Sequence, residues 1–121
     1  MKIPGPDHPI TIEPNRKRVQ VVFNGHVVAD TVRALTLREA SLAAVQYIPR
    51  ADADMAVFAR TARATYCPYK GDAAYYSLNV DGRTGENAVW TYEAPYPAVL
   101  DIKDHLAFYP SRVDRIEETE I

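Results

Sequence analysis

Apolar and polar residues alternate along most of this chain, and turn-forming pairs interrupt the alternation at short intervals. Val19, Val21 and Phe23 point one way with Gln20 opposite, Asn24-Gly25 follows, and His26 to Val32 resumes the extended pattern. Asn-Gly between two β-rich runs predicts a hairpin, because a type I′ turn needs positive φ at both central residues. A second hairpin is predicted around Asp81-Gly82, from Ala73–Val80 to Glu86–Glu93. It sets a tyrosine-rich strand beside the one carrying the only tryptophan, Trp90. Strand neighbours face opposite sides, so at most one of Tyr75 and Tyr76 joins Trp90.

The rest of the chain reads as short elements. Residues 1–17 are an extended, proline-punctuated segment in which Ile10 and Ile12 suit an edge strand. Leu35 and Leu37 share one face of a strand at 34–39. A turn or helical piece is expected near 40–44, a strand at 45–48 stopped by Pro49, and a connection with another short strand at 55–58. Residues 60–65 lead into the second hairpin. Pro97 opens a short amphipathic helix over about 97–104, strands follow at 105–109 and 111–116, and the acidic tail 117–121 is expected to fray. These elements predict one domain over residues 1–121, mainly β: seven to nine short strands in an antiparallel two-sheet sandwich or open barrel, with one short helix.

Composition narrows the function classes. A chain of 121 residues can bury roughly two thirds of its unfolded surface without metals or disulfides. The formal charge of -2 supplies no general attraction for a phosphate backbone, so nucleic acid is not an expected partner. No apolar run is long enough for a signal segment or a membrane span. A single cysteine excludes an intramolecular disulfide, and a cytoplasmic protein without a cofactor is the expected reading.

Candidate chemistry concentrates in Thr65 to Tyr76, TYCPYKGDAAYY, which holds Cys67, Lys70 and four of the eight tyrosines. Cys67 is the candidate nucleophile, with Lys70 three residues away and His26 and His105 as candidate neighbours in space. Asp52 and Asp54 would share one face of an extended segment, a spacing that suits a divalent cation. With no second cysteine a structural zinc is not expected, and no metal site is assigned. Pro68-Tyr69-Lys70-Gly71 has one glycine and precedes a strand, unlike a phosphate-cradling loop, although Lys70 with Arg50 suits a carboxylate or a single phosphate.

Aromatic residues at this density are chiefly structural, yet an apolar wall with a few polar tips is also what a small ligand prefers. The favoured reading is a small-ligand-binding module. Its pocket is walled by Tyr66, Tyr75 or Tyr76, Trp90 and Tyr92, with Arg50 or Lys70 as the charged anchor. Two other classes stay open: an enzyme using Cys67 or acting on a nucleotide or sugar phosphate, and a homodimer formed through an open sheet edge.

The phrases VVFNGHVVADT, YIPRADADM, TYCPYKGDAAYYSL, GRTGENAVWTYEAPYPAV and HLAFYPSRVD, in that order, carry a resemblance to the bacterial family catalogued as domain of unknown function 427. They span the chain from the first hairpin to Asp114. The resemblance implies a small all-β domain, and the family also bears a nucleotidyltransferase-like label. This chain departs from the family's pattern between Ala40 and Val45, where members tend to carry a glycine- or proline-bearing turn before the YIP motif.

Overall fold

Both predicted hairpins form in the computed structural model, which describes residues 1–121. Strands β2 (Arg18–Phe23) and β3 (His26–Thr31) meet at Asn24 (φ 48°) and Gly25 (φ 76°). Strands β7 (Gly71–Val80) and β8 (Arg83–Tyr92) meet at Asp81 (φ 48°) and Gly82 (φ 80°), the two-residue geometry that matches the strand twist.

The remaining strands are β1 (Ile10–Pro14), β4 (Leu35–Glu39), β5 (Val45–Pro49), β6 (Phe58–Cys67), β9 (His105–Phe108) and β10 (Arg115–Thr119). Seven of the ten form one antiparallel sheet in the order β1-β4-β5-β9-β8-β7-β6, and β10-β2-β3 form a second. The large sheet stays open, with β1 and β6 as its edges. No helix is long and apolar enough to cross a membrane.

The large sheet buries both faces, and alternation along its central strands divides the side chains between two cores. Ile48, Tyr76, Leu78, Val89, Leu106 and Phe108 meet Val19, Val21, Phe23 and Val28 of the small sheet. Their neighbours Tyr47, Tyr75 and Ala107 face the other way and, with Tyr92, pack with Leu37, Val99 and Ile102. The two adjacent tyrosines therefore belong to different cores, and Tyr75 is the one opposite Trp90.

Several boundaries differ from those expected. The helix predicted over 97–104 is a 3-10 segment, Pro97–Ile102, interrupted at Val99 (φ -125°, ψ 26°). Both Val99 and Ile102 are buried, and the demands of that contact outweigh helical regularity. Met55–Val57 is a 3-10 turn, not a strand, and β6 begins at Phe58. Residues 60–65, read as a connection, lie inside β6; this exposed edge strand needs few apolar side chains, so FARTARATYC hides its alternation. Thr65–Cys67 pairs with Gly71–Ala73, so the turn into β7 is confined to residues 68–70. The tail does not fray at residue 117: Glu117, Glu118 and Thr119 pair with Gln20, Val19 and Arg18. Backbone pairing tolerates acidic side chains, and Asn15 donates to Glu118 at 2.8 Å.

Gly85 shows how closely β8 approaches the small sheet. A Cβ there would lie 3.0 Å from Phe23 Cε1 and 3.3 Å from the Arg112 carbonyl oxygen. Phe23 is fully enclosed and cannot withdraw. Gly85→Ala is expected to cost about 1–3 kcal/mol in urea unfolding; an unchanged midpoint would show that the Phe23 ring has room to move.

Candidate functional site

Period two on β4 carries Leu35, Leu37 and Glu39 onto one face, and register sets Val45 and Tyr47 of β5 beside Leu37 and Leu35. On the same face of the sheet Tyr75 pairs with Trp90, Ala73 with Tyr92, and Trp90 with Ala107, two residues before Tyr109. Together with Lys70 these strands enclose a cavity of about 260 Å³, lined by Leu37, Glu39, Val45, Tyr47, Lys70, Tyr75, Trp90, Tyr92 and Tyr109. Leu42 and Ala43 of the exposed loop 40–44 complete the lining and form its rim. A second cavity of about 410 Å³ lies between the sheets; Val21, Ile48, Phe108 and Ile116 line it, and it shares Ala43, Val45 and Trp90 with the first.

Two charges are buried in this otherwise apolar lining. Lys70 is 8% exposed and Glu39 9%, and Lys70 Nζ donates to Glu39 Oε1. Burying either charge alone is costly, so the pairing is what permits both. The turn that delivers Lys70 is held on both sides: Lys70 N–H donates to the Cys67 carbonyl at 3.3 Å, and Tyr96 N–H donates to the Lys70 carbonyl at 3.0 Å. His8 Nε2 lies 2.7 Å from Glu39 Oε2, and its ring stacks on Tyr69 at 4.0 Å. The N-terminal segment places His8 through backbone bonds from Lys2 to Pro68 and from Ala40 to Pro9.

Burial opposes the Glu39 carboxylate, but hydrogen bonds from Lys70 and His8 outweigh it and hold its pKa below the usual glutamate value. The unfolded chain therefore takes up this proton first as pH falls. The stabilisation is complete above the ordinary glutamate range, about pH 4.3, and is lost as pH drops through the lower native value. Asp30, Glu93 and Asp114 are also held low, by Arg18, by Arg60 and by backbone N–H groups at Gly25 and Asn24. Glu39→Gln is thus expected to remove part of the acid sensitivity. Its urea midpoint should fall less than the parent's between about pH 7 and about pH 3; equal falls would show that Glu39 titrates as it does in the unfolded chain.

The aromatic walls are tied to one another. Trp90 Nε1–H donates to the Tyr47 hydroxyl at 3.2 Å, and the Trp90 and Tyr109 rings lie 4.5 Å apart. Tyr75 shares a hydrogen bond with Thr65 at 2.9 Å and lies under the Arg63 guanidinium. Burial pushes the Tyr109 hydroxyl up to about 12, aided by Tyr75, and burial also raises Tyr47. Tyr92 is raised as well, by burial first and then by Tyr47, Cys67, Tyr75 and Glu39, so its hydroxyl keeps its proton.

Four of the residues singled out from sequence, Lys70, Tyr75, Trp90 and Tyr92, meet in this cavity. Arg50 does not: its guanidinium donates to the Tyr76 hydroxyl at 2.7 Å, over the other core. Tyr66 is 56% exposed and shares a hydrogen bond with Tyr96 outside the cavity. Cys67 packs half-buried behind the cavity wall. The groups considered as its activators are engaged elsewhere, Lys70 with Glu39, His26 with Asp54 and His105 with the Lys103 carbonyl.

Asp52 and Asp54 do not share an extended face, because Arg50–Asp52 is a 3-10 turn. Asp52 accepts from Thr31 and Arg33, whereas Asp54 contacts His26, and no group of three or more His, Cys, Asp or Glu is placed to hold a metal ion. Gly71 opens β7, so no helix N-terminus meets the 68–70 turn.

Besides the aliphatic residues of the lining, sequence reasoning passed over Glu39, Tyr47 and Tyr109. The available signal was phase: Glu39 continues the Leu35, Leu37 face. His8 carried no such signal.

No curated protein matches the chain. His8 stands outside the stretch shared with a family, but Glu39, Lys70 and every aromatic of the cavity stand inside it: residues 11–119 match the model described as Domain of unknown function (DUF427), and this chain belongs to that family.

Proposed function

We propose that the protein is a small-ligand-binding module whose ligand occupies the cavity between Trp90 and the Lys70–Glu39 pair. The observation that supports this reading most is the cavity itself: about 260 Å³, walled by aromatic and aliphatic side chains, with a buried ion pair in its lining. Ligand sites combine apolar walls with a few convergent polar groups in this way.

Trp90 is the only tryptophan and forms part of the wall, so its emission reports on a ligand in this cavity, and also on one in the adjoining space between the sheets. Titration with a mixed set of small aromatic and aliphatic amphiphiles is expected to give a saturable change in Trp90 emission. A rise in melting temperature should accompany it, because a ligand that binds only the folded state stabilises that state. Ala43→Phe places a ring at the exposed rim and is expected to abolish the response while leaving the fold intact. Absence of any saturable response across the set, or an unchanged response in Ala43→Phe, overturns the reading.

A further inference from the structure

The polar groups of the cavity are unequally used. An ammonium carries three donors, and the side-chain bond that Lys70 Nζ makes is the one to Glu39 Oε1. Both Glu39 oxygens are taken, Oε1 by Lys70 and Oε2 by His8. The pair therefore faces the cavity with spare donors, while each carboxylate oxygen already accepts one bond.

Tyr92 adds another donor. It is 6% exposed, and its hydroxyl has no hydrogen-bond partner in the protein. No fully enclosed side-chain polar atom lacks a partner, so this hydroxyl is not sealed off, and Tyr92 is one of the residues that line the cavity. A buried hydroxyl and a buried ammonium with unused donors, on one small cavity, call for an acceptor brought from outside.

We propose that the ligand is a monocarboxylate with an apolar ring or short chain, its carboxylate held by Lys70 Nζ and the Tyr92 hydroxyl and its body packed against Tyr47, Trp90 and Tyr109. This rests on the binding reading above and names its ligand class. Hydrogen bonds from a cation and a phenol to an ionised acceptor are the strong ones. Sign alternates along the row His8, Glu39, Lys70 when His8 is protonated, and a carboxylate on Lys70 continues the alternation. An amine would bring a second cation beside the Lys70 ammonium, to a carboxylate that Lys70 and His8 already share. A phosphate dianion would bring two charges to one cation that Glu39 already shares.

Three probe series separate these classes: the acids phenylacetate, 3-phenylpropionate and octanoate, their primary amides, and the corresponding amines. Binding is read by Trp90 emission and by calorimetry. The acids are expected to saturate, the amides to bind at least about tenfold more weakly and the amines more weakly still. Tyr92→Phe removes a hydroxyl that no protein group uses, so its urea midpoint should match the parent's while its affinity for the acids falls about tenfold or more. Amides or amines binding as tightly as the acids, or Tyr92→Phe binding the acids as tightly as the parent, overturns the carboxylate assignment and leaves the cavity as a binding site. No response from any of the three series overturns both.

Discussion

Lys70→Met is expected to cost about 3–5 kcal/mol of folding stability, because removing one partner strands the other as a buried charge. Glu39 would keep His8 on Oε2 but lose the donor to Oε1, in a lining otherwise made of aliphatic and aromatic groups. The double variant Glu39→Leu/Lys70→Met removes both charges and leaves only His8 to be resatisfied. The His8 side chain is part-exposed and can turn to water. Well-packed apolar replacements of buried ion pairs are often neutral or stabilising, so the double variant should recover most of the loss. Urea unfolding of the parent, Glu39→Leu, Lys70→Met and the double variant at neutral pH closes the cycle. A loss below about 1 kcal/mol for Lys70→Met, the range of exposed pairs, would show that water reaches the pair. If the prediction holds, the pair is kept at a cost that an apolar core would avoid, which is expected of groups retained for binding.

Much of the architecture could be read from local chemistry. Asn24-Gly25 and Asp81-Gly82 supply residues that tolerate positive φ where a two-residue hairpin needs it, and both turns adopt it. Alternation separated Tyr75 from Tyr76 before any contact was known, since it depends on the pleat alone. Long-range pairing was less visible. Glu39 and Lys70 are 31 residues apart, and nothing in either neighbourhood announces the other. Glu39 sat in phase with Leu35 and Leu37, but a glutamate at the end of a strand ordinarily faces water. Arg50 and Lys70 were equivalent as anchors in the sequence. The 3-10 turn after Pro49 sends Arg50 to Tyr76 and the opposite core, which no periodicity encodes. The edge strand β6 was missed for a related reason: an exposed edge is specified by backbone pairing more than by side-chain pattern.

Trp90→Ala is expected to lose about 3 kcal/mol or more, the lower part of the range for truncating large aromatic residues, because Trp90 is half-buried. The substitution acts twice. It removes the ring that packs 4.5 Å from Tyr109, and it leaves the hydroxyl of Tyr47, a residue 1% exposed, without the indole donor. Trp90→Phe should retain most of the packing and lose chiefly the hydrogen bond, a cost of about 1 kcal/mol. Tyr47→Phe should cost a similar amount, and the Trp90→Phe/Tyr47→Phe double variant less than the sum, since one bond cannot be lost twice. Equal stability of Trp90→Ala and Trp90→Phe would show that the ring contributes nothing by packing. The cavity consequence is separable from stability. Trp90 borders both the 260 Å³ and the 410 Å³ spaces, so its truncation removes wall from each. A ligand matched to the smaller space would lose the wall against its body. Trp90→Ala should therefore weaken acid binding by calorimetry even at temperatures where it is fully folded, whereas Gly85→Ala, destabilised at the other core, should bind normally while folded. That contrast places Trp90 in the binding wall and not merely in the fold.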